Sequence, residues 1–376
     1  MKRRDALRFA AATIAAAVPA VRAESRPIVL GQSAALSGPA SALGDEFRRG
    51  ALLYFEHLNV RGGIDGRAVL LRTLDDGYEP SRCAENTREL IASGVSALFG
   101  YIGTPTSQVA LPMATAARVP FVAPYSGAEA LRSPFNRYAI HVRASYLDET
   151  AEIVKQASLV GLERFGVFYQ DDGYGKAGLD GVMHALNLQH LPPPVGLGTV
   201  ERNTVEVDQA VKAILAGRPD AIVLVSAYKS CAAFIRRARG AGFSGMFYSL
   251  SFVGTQALAA ELGREAKGVA ISQVMPYPFS AAIALTREYL AAGNAPPGAV
   301  FEPSYGSMEG YVAAKAMAEA LRRASPSASG EGLVAGFESM RDFDLGGFFV
   351  DFSARKHTGS KFVDLTILSD DGKVYR

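Results

Sequence analysis

Short β-branched runs alternate with helix-period segments along almost the whole chain, and this alternation most narrows the folds open to it. Strands separated by helices of this length join a parallel sheet with helices on its faces, so the expected class is α/β. Residues 28–33, 68–74, 97–100 and 120–123 read as strands. Between them 45–60, 80–93 and 106–117 read as helices, the first with Phe47, Ala51, Phe55 and Leu58 on one face. Gly62-Gly63-Ile64-Asp65-Gly66 punctuates the first unit with a tight turn. The pattern restarts with strands at 165–169, 221–225 and 246–250 and helices at 174–190, 231–241 and 255–262. Two more helical segments, 281–292 and 311–323, precede a Ser/Pro/Gly-rich break at 324–332, one further helix, and late strands at 348–351 and 362–368.

A chain of 376 residues is long enough for two domains. No linker divides the two units, so the second reads as inserted into a fold that resumes afterwards. One lobe is expected to comprise 26–143 and 276–345, the other 144–275 and 346–376. A chain that crosses between lobes more than once makes a hinge, and the cleft beside it is the default ligand site.

The N-terminus adds a compartment. Lys2, Arg3 and Arg4 precede a short apolar stretch at 9–21, and Val21-Arg22-Ala23 resembles a cleavage site. Thirteen residues cannot span a bilayer core, which needs about 20. Residues 1–23 are therefore expected to be a signal peptide cleaved after Ala23, leaving the protein in the periplasm. The Arg3-Arg4 pair resembles a twin-arginine signal, and a general secretory signal is the alternative. The formal charge of +2 belongs to this segment: without its five basic residues and one acid, 34 basic and 36 acidic side chains leave −2. Such a balance gives no electrostatic reason to expect nucleic acid as a partner.

Several stretches, in order, resemble the type I periplasmic solute-binding proteins of the leucine/isoleucine/valine-binding family. They are Gly31-Gln32-Ser33 to Ser37-Gly38-Pro39 with Gly44-Asp45, Gly62 to Arg67, and Asp75-Asp76. Then come Gly100 with Thr104-Pro105-Thr106-Ser107, the run 120–124, and Tyr174-Gly175 with Gly178. The resemblance covers about 26–370. It implies two Rossmann-like lobes joined by a three-strand hinge, a small-molecule ligand, an ATP-driven permease in the inner membrane as partner, and no catalysis. A monomer is expected. Ligand sensing that feeds a regulator or receptor is the alternative role, since it uses the same cleft.

Thr104-Pro105 directly after a strand reads as a helix start, with Thr as N-cap and Pro at the first helical position. The N–H groups of Thr106 and Ser107 would then face an anion at the positive end of the helix dipole. The resemblance implies that a hydroxyl residue at Thr104, with Ile102 and Gly103 beside it, holds the ligand carboxylate. An ordinary cap is the plainer alternative. Tyr125, Ser126 and Gly127 follow the next strand and are expected to form the opposite wall, unless they make a simple turn. In the second lobe the resemblance places aromatic walls at Tyr174 and Tyr228, which could equally be packing residues. The family carries an acid for the ligand ammonium after the strand at 246–250, but here the segment reads Ser249-Leu250-Ser251-Phe252. Leu43 likewise stands where tyrosine is common. A buried ammonium without a counter-charge is strongly penalised. The departures favour an uncharged or purely anionic ligand over an α-amino acid; the expected ligand is a small carboxylate such as an aromatic or aliphatic acid, with Ser251 and Phe252 closing over it.

Enzyme readings are weaker. Gly173-Tyr174-Gly175-Lys176-Ala177-Gly178 is a literal G-x-G-x-x-G, with Glu201 at the distance of a ribose-binding acid. Asp171 and Asp172, however, sit where a pyrophosphate would lie, so no nucleotide or other cofactor is expected. Gly306-Ser307-Met308-Glu309-Gly310 has Met at its centre and is no nucleophile elbow. His57, His141, His184, His190 and His357 are scattered singly and expected to be surface or partly buried, with no metal site. Cys83 and Cys231 fall in different lobes, where a bridge would lock the hinge, so two free thiols are expected.

Overall fold

Among residues 26–294, 301–324 and 328–376, which the computed structural model describes, the helices cover two separate sheets. The expected export signal at 1–23 lies outside the described residues. The first sheet contains β1 (Ile28–Ala34), β2 (Val69–Asp75), β3 (Ala97–Phe99), β4 (Phe121–Val122) and β5 (Ala139–Ile140). All its pairings are parallel, in the order β2-β1-β3-β4-β5. Helices α1 (Ser41–Val60), α2 (Pro80–Ala92) and α3 (Thr104–Ala116) connect them. The predicted stripe on α1 is buried at Phe47, Ala51, Phe55 and Leu58.

The chain then enters α4 (Tyr146–Leu159), β6 (Phe165–Gln170), α5 (Gly173–Leu188), β7 (Gly196–Val200), α6 (Asp208–Ala216) and β8 (Ala221–Val225). It continues through α7 (Tyr228–Gly240), β9 (Met246–Ser249), α8 (Thr255–Leu262) and β10 (Val269–Gln273). The run Ala-Ile-Val-Leu-Val makes β8 buried at every position, as a strand covered on both faces must be. After α9 (Ala284–Gly293), α10 (Tyr305–Ala324) and α11 (Gly330–Glu338) come the short hairpin β11 (Phe343–Asp344) and β12 (Phe349–Val350), then β13 (Asp364–Leu368) and β14 (Val374–Tyr375). The second sheet has the order β14-β13-β10-β9-β8-β6-β7, parallel except at β13 and β14.

Helices α9 and α10 pack on α1, whereas β13 pairs with β10. The chain therefore crosses between lobes three times: after β5, after β10, and between β12 and β13. The first and third crossings run together, His141 N–H donating to the His357 carbonyl (2.8 Å) and Gly359 N–H to the His141 carbonyl (2.7 Å). The expected α/β fold with a three-stranded hinge is thus found.

Several elements are not among the expected ones, for local reasons. β5 is two residues long, and β7 is Gly-Leu-Gly-Thr-Val on an edge, too short or too Gly-rich to read as strands. α4 does carry a start signal, a capping box in which Ser145 and Asp148 exchange hydrogen bonds. β10 and α6 are likewise unannounced, and α3, α7 and α10 begin two to six residues earlier than their apolar pattern. Cys83 and Cys231 are free and buried, and burial pushes both thiols up to about 12, which makes them poor nucleophiles. His141 and His357 correct the expectation for histidine: both are buried, their imidazoles bonded to the Leu131 and Ala139 carbonyls. Burial lowers the His141 imidazole well below its ordinary range, so it stays neutral. Among the described residues no helix is long and apolar enough to cross a membrane.

Candidate functional site

The first turn of α3 differs from the expected cap. Gly103, not Thr104, is the N-cap, at φ 91°. That backbone conformation suits glycine, and a Cβ there would also strike the Tyr78 ring. Thr104 is freed from capping and instead bonds Ser126 through their hydroxyls (2.8 Å). Thr106 returns its hydroxyl to the Ile102 and Gly103 carbonyls. The Ser107 N–H, expected to be open, is taken by the Gly103 carbonyl (3.2 Å), while the Thr104 and Thr106 N–H groups have no carbonyl partner. No side chain among the described residues caps this helix end. Thr104, Ser107 and Ser126 are fully buried around it. Among the described residues the Ser107 hydroxyl and the Tyr174 phenol have no hydrogen-bond partner, and the Tyr146 phenol, which faces Thr104, has none at good geometry. Buried polar atoms are normally paired, so a cluster of unpaired ones marks a place for a polar ligand.

Ile102 and Tyr125 form an isolated parallel bridge that sets the opposite wall beside Thr104. Gly127 packs beneath Tyr146 and gives its carbonyl to the Tyr146 N–H (2.8 Å). Phe252, from the second lobe, lies between rings of both lobes, its centroid 5.9 Å from Tyr78, 5.4 Å from Tyr125 and 4.7 Å from Tyr174. Tyr146 and Tyr174 are 5.3 Å apart. Burial holds the phenols of Tyr78, Tyr125 and Tyr174 well above the ordinary tyrosine range, so they act as neutral hydrogen-bonding groups. The lobes also meet where Gln170 donates to the Tyr78 phenol (3.3 Å) and Arg202 pairs with Glu79 (2.8 Å). The cleft is closed. Tyr228 is the exception among the expected residues: it is buried at the start of α7 and makes no ring contact with the others.

The loop after β9 carries no carboxylate of its own, but one reaches Ser251 from elsewhere in the chain. Glu149 reaches it from α4, accepting from the Ser251 N–H (2.8 Å) and hydroxyl (3.1 Å), the Ser272 hydroxyl (2.6 Å) and Arg143 Nη2 (3.0 Å). Four donors fill the acceptor sites of one carboxylate, leaving no ready place for a ligand ammonium. Arg143 also hydrogen-bonds the Ser251 hydroxyl and lies over the Tyr125 ring (5.2 Å). Tyr78, Arg143, Tyr146 and Glu149 are thus site residues that the sequence reading lacks.

α5 begins at the same cleft in the opposite manner. Asp172 caps it, accepting from the Tyr174 N–H (2.9 Å) and the Gly175 N–H (3.4 Å). A protein carboxylate therefore fills the place where a dinucleotide pyrophosphate would bind. Gly178 serves packing, since a Cβ there would strike the Val225 side chain. No group of His, Cys, Asp and Glu among the described residues could hold a metal. A pocket of about 530 Å³ opens at the cleft edge between Gln108 and Glu129 on one side and Tyr146, Gly173 and Lys176 on the other. A second pocket of similar size, beside Tyr277, Ile283 and Phe362 at the hinge, includes none of the expected residues.

Residues 27–373 match the family described as periplasmic binding protein. The chain is similar to the Leu/Ile/Val-binding protein homolog 3 of Brucella melitensis, 34% identical over 86 residues, which is 23% of this chain and 23% of that protein. It therefore spans under a quarter of the length of that curated relative. A solved structure of a possible leucine/isoleucine/valine-binding protein from Rhodopirellula baltica SH 1 superposes with a TM-score of 0.88 at 32% identity, covering 94% of this chain and 96% of that one. The substrate-binding periplasmic protein from Ralstonia solanacearum gives 0.86 at 31% identity, covering 92% and 99%.

Proposed function

This chain belongs to the periplasmic binding protein family, and from that premise we propose that it captures a small carboxylate by closing its lobes and delivers it to an ATP-driven permease of the inner membrane. It is a binding protein and not an enzyme. The proposed compartment is the periplasm, in keeping with the extracytoplasmic setting of the family.

The observation that carries the reading is the uncapped start of α3, walled by the buried Thr104–Ser126 hydroxyl pair. A ligand carboxylate there meets two open N–H groups, two hydroxyls and the positive end of the helix dipole. Tyr78, Tyr125, Tyr174 and Phe252 offer flat apolar surface to the rest of the ligand. Because Glu149 is saturated by protein donors, aromatic or aliphatic acids suit the cleft better than α-amino acids. In this mechanism the lobes sample open and closed states, and a ligand touching both walls shifts the population to the closed one.

A thermal-shift screen of benzoate, 4-hydroxybenzoate, hexanoate and leucine tests the ligand class, since a bound ligand raises the melting temperature according to its concentration over Kd. The expected result is stabilisation by one of the simple acids. A clear preference for leucine would overturn the reading of Glu149.

A further inference from the structure

The hinge holds a charged cluster that the ligand reading leaves unused. Arg143, 1% exposed in the first crossing, sits between Glu149 on α4 (3.0 Å) and Glu309 on α10 (3.4 Å). α4 packs with the second sheet and α10 on α1, so the guanidinium ties one lobe to the other. Its faces lie against Tyr125 (5.2 Å) and Tyr146 (5.8 Å), the rings that wall the cleft, and its Nε is buried without a partner. The two acids are not equivalent. Glu149 has four donors, whereas the ion pair of Glu309 is with Arg143 Nη1, outside hydrogen-bond geometry.

With both acids ionised, the Arg143 guanidinium is shared by two carboxylates, and Arg132, the other cation facing Glu309, forms no ion pair with it among the described residues. A ligand anion brought against Tyr125 and Tyr146, the rings that Arg143 lies over, adds further negative charge to a poorly screened interior. The less well held acid is the one that gives way. Resting on the reading that the cleft takes a carboxylate, we propose that Glu309 takes up one proton when the anion binds, so that capture is coupled to neutralisation of the hinge. The proton comes from buffer and ends on a Glu309 carboxylate oxygen; no other bond changes.

The surroundings of Glu309 support this. Arg143 and Arg132 face it from the first crossing and the loop before it, Glu149 from α4, and the Tyr125 phenol from the opposite wall. On α1, Glu46 and Arg49 lie nearby, with Glu46 against Gly306, and from α9 Tyr289 bonds Ser307. The acids of α11, Glu331 and Glu338, pair with Arg137 instead, and Glu261 of α8 pairs with Arg236. Burial pushes the Glu309 carboxyl up to about 7, with Arg143 opposing and Glu149 adding to the rise. Near neutral pH it is therefore poised to take the proton. An added anion raises it further, so affinity is greatest below pH 7 and falls as pH rises through and above it.

The test is calorimetry on the full chain with benzoate, or with hexanoate if hexanoate gives the larger thermal shift, in phosphate and in Tris at pH 7.5. The expected result is a buffer-dependent heat corresponding to uptake of up to one proton, and affinity that weakens by up to about tenfold per pH unit above pH 7. Glu309→Gln should bind with a pH-independent affinity near the wild-type value at pH 6. Binding with no proton uptake, or with release, overturns the coupling and leaves the carboxylate reading standing. No stabilisation by either acid overturns both. The two-buffer measurement uses the wild-type chain and holds even if the variant fails to fold.

Discussion

α3 and α5 each follow a parallel strand and start at the cleft, one in each lobe, yet their first turns are finished differently. At α3 a glycine N-cap leaves the helix end without a side-chain partner, and buried hydroxyls gather around it. At α5 the Asp172 carboxylate occupies the same position relative to the helix and satisfies two of its N–H groups. Both helices have a glycine- or proline-marked start and the same dipole. An anion site arises only at the end that the protein has not already filled with an acid of its own.

The largest effect expected from breaking this contrast is at Gly103. Gly103→Ala forces a side chain into a left-handed conformation and against Tyr78, at a cost of at least ~2 kcal/mol in denaturant unfolding, with loss of ligand binding. Thr104→Ala should weaken the native carboxylate by about 10- to 100-fold in calorimetry, the value of a hydrogen bond to a charged group, while unfolding changes by under ~1 kcal/mol. Unchanged affinity would sink the assignment of α3. Asp172→Ala should show the reverse, a stability loss of ~1 kcal/mol for the missing cap with affinity changed by less than about twofold.

A further effect is a pH dependence behind α3. Asp76 accepts from the Ser33 hydroxyl (2.6 Å) and the Tyr78 N–H (2.8 Å), fixing the loop that presses Tyr78 onto Gly103. Burial pushes its carboxyl up to about 6, so the folded state binds its proton more tightly than the unfolded one. The stability this gives is complete below the unfolded value near 4 and lost as pH rises through 6. Melting curves should therefore show a decline over that window that Asp76→Asn flattens. An unchanged slope in the variant would assign the decline to other acids.

The contrast between the two helix ends was partly legible in the sequence. Thr104-Pro105 after a strand, and Asp172 before the glycines, are local signals, and both mark helix starts that the fold brings to the cleft. What was not legible depends on distant partners. Glu149 finds Ser251 across 102 positions and Ser272 across 123, so a carboxylate missing from the loop after β9 is supplied by another element. Arg143 follows His141 and Val142 in a stretch with no acid before Asp148, so its partners are not announced locally. Only the approach of α10 and α4 buries it. Tyr146 had a local clue in the Ser145–Asp148 capping box, which marks the start of α4 and so brings its ring to the cleft.

The central claim is that the open end of α3 holds the ligand's carboxylate. A crystal structure of the complex with the acid that gives the largest thermal shift tests it most directly. The account predicts a carboxylate oxygen within about 3 Å of the Thr104 or Ser126 hydroxyl and the Thr106 N–H, with the ligand body against Phe252. A carboxylate seated instead at Arg202 beside α5, or an ammonium seated on Glu149, would contradict it.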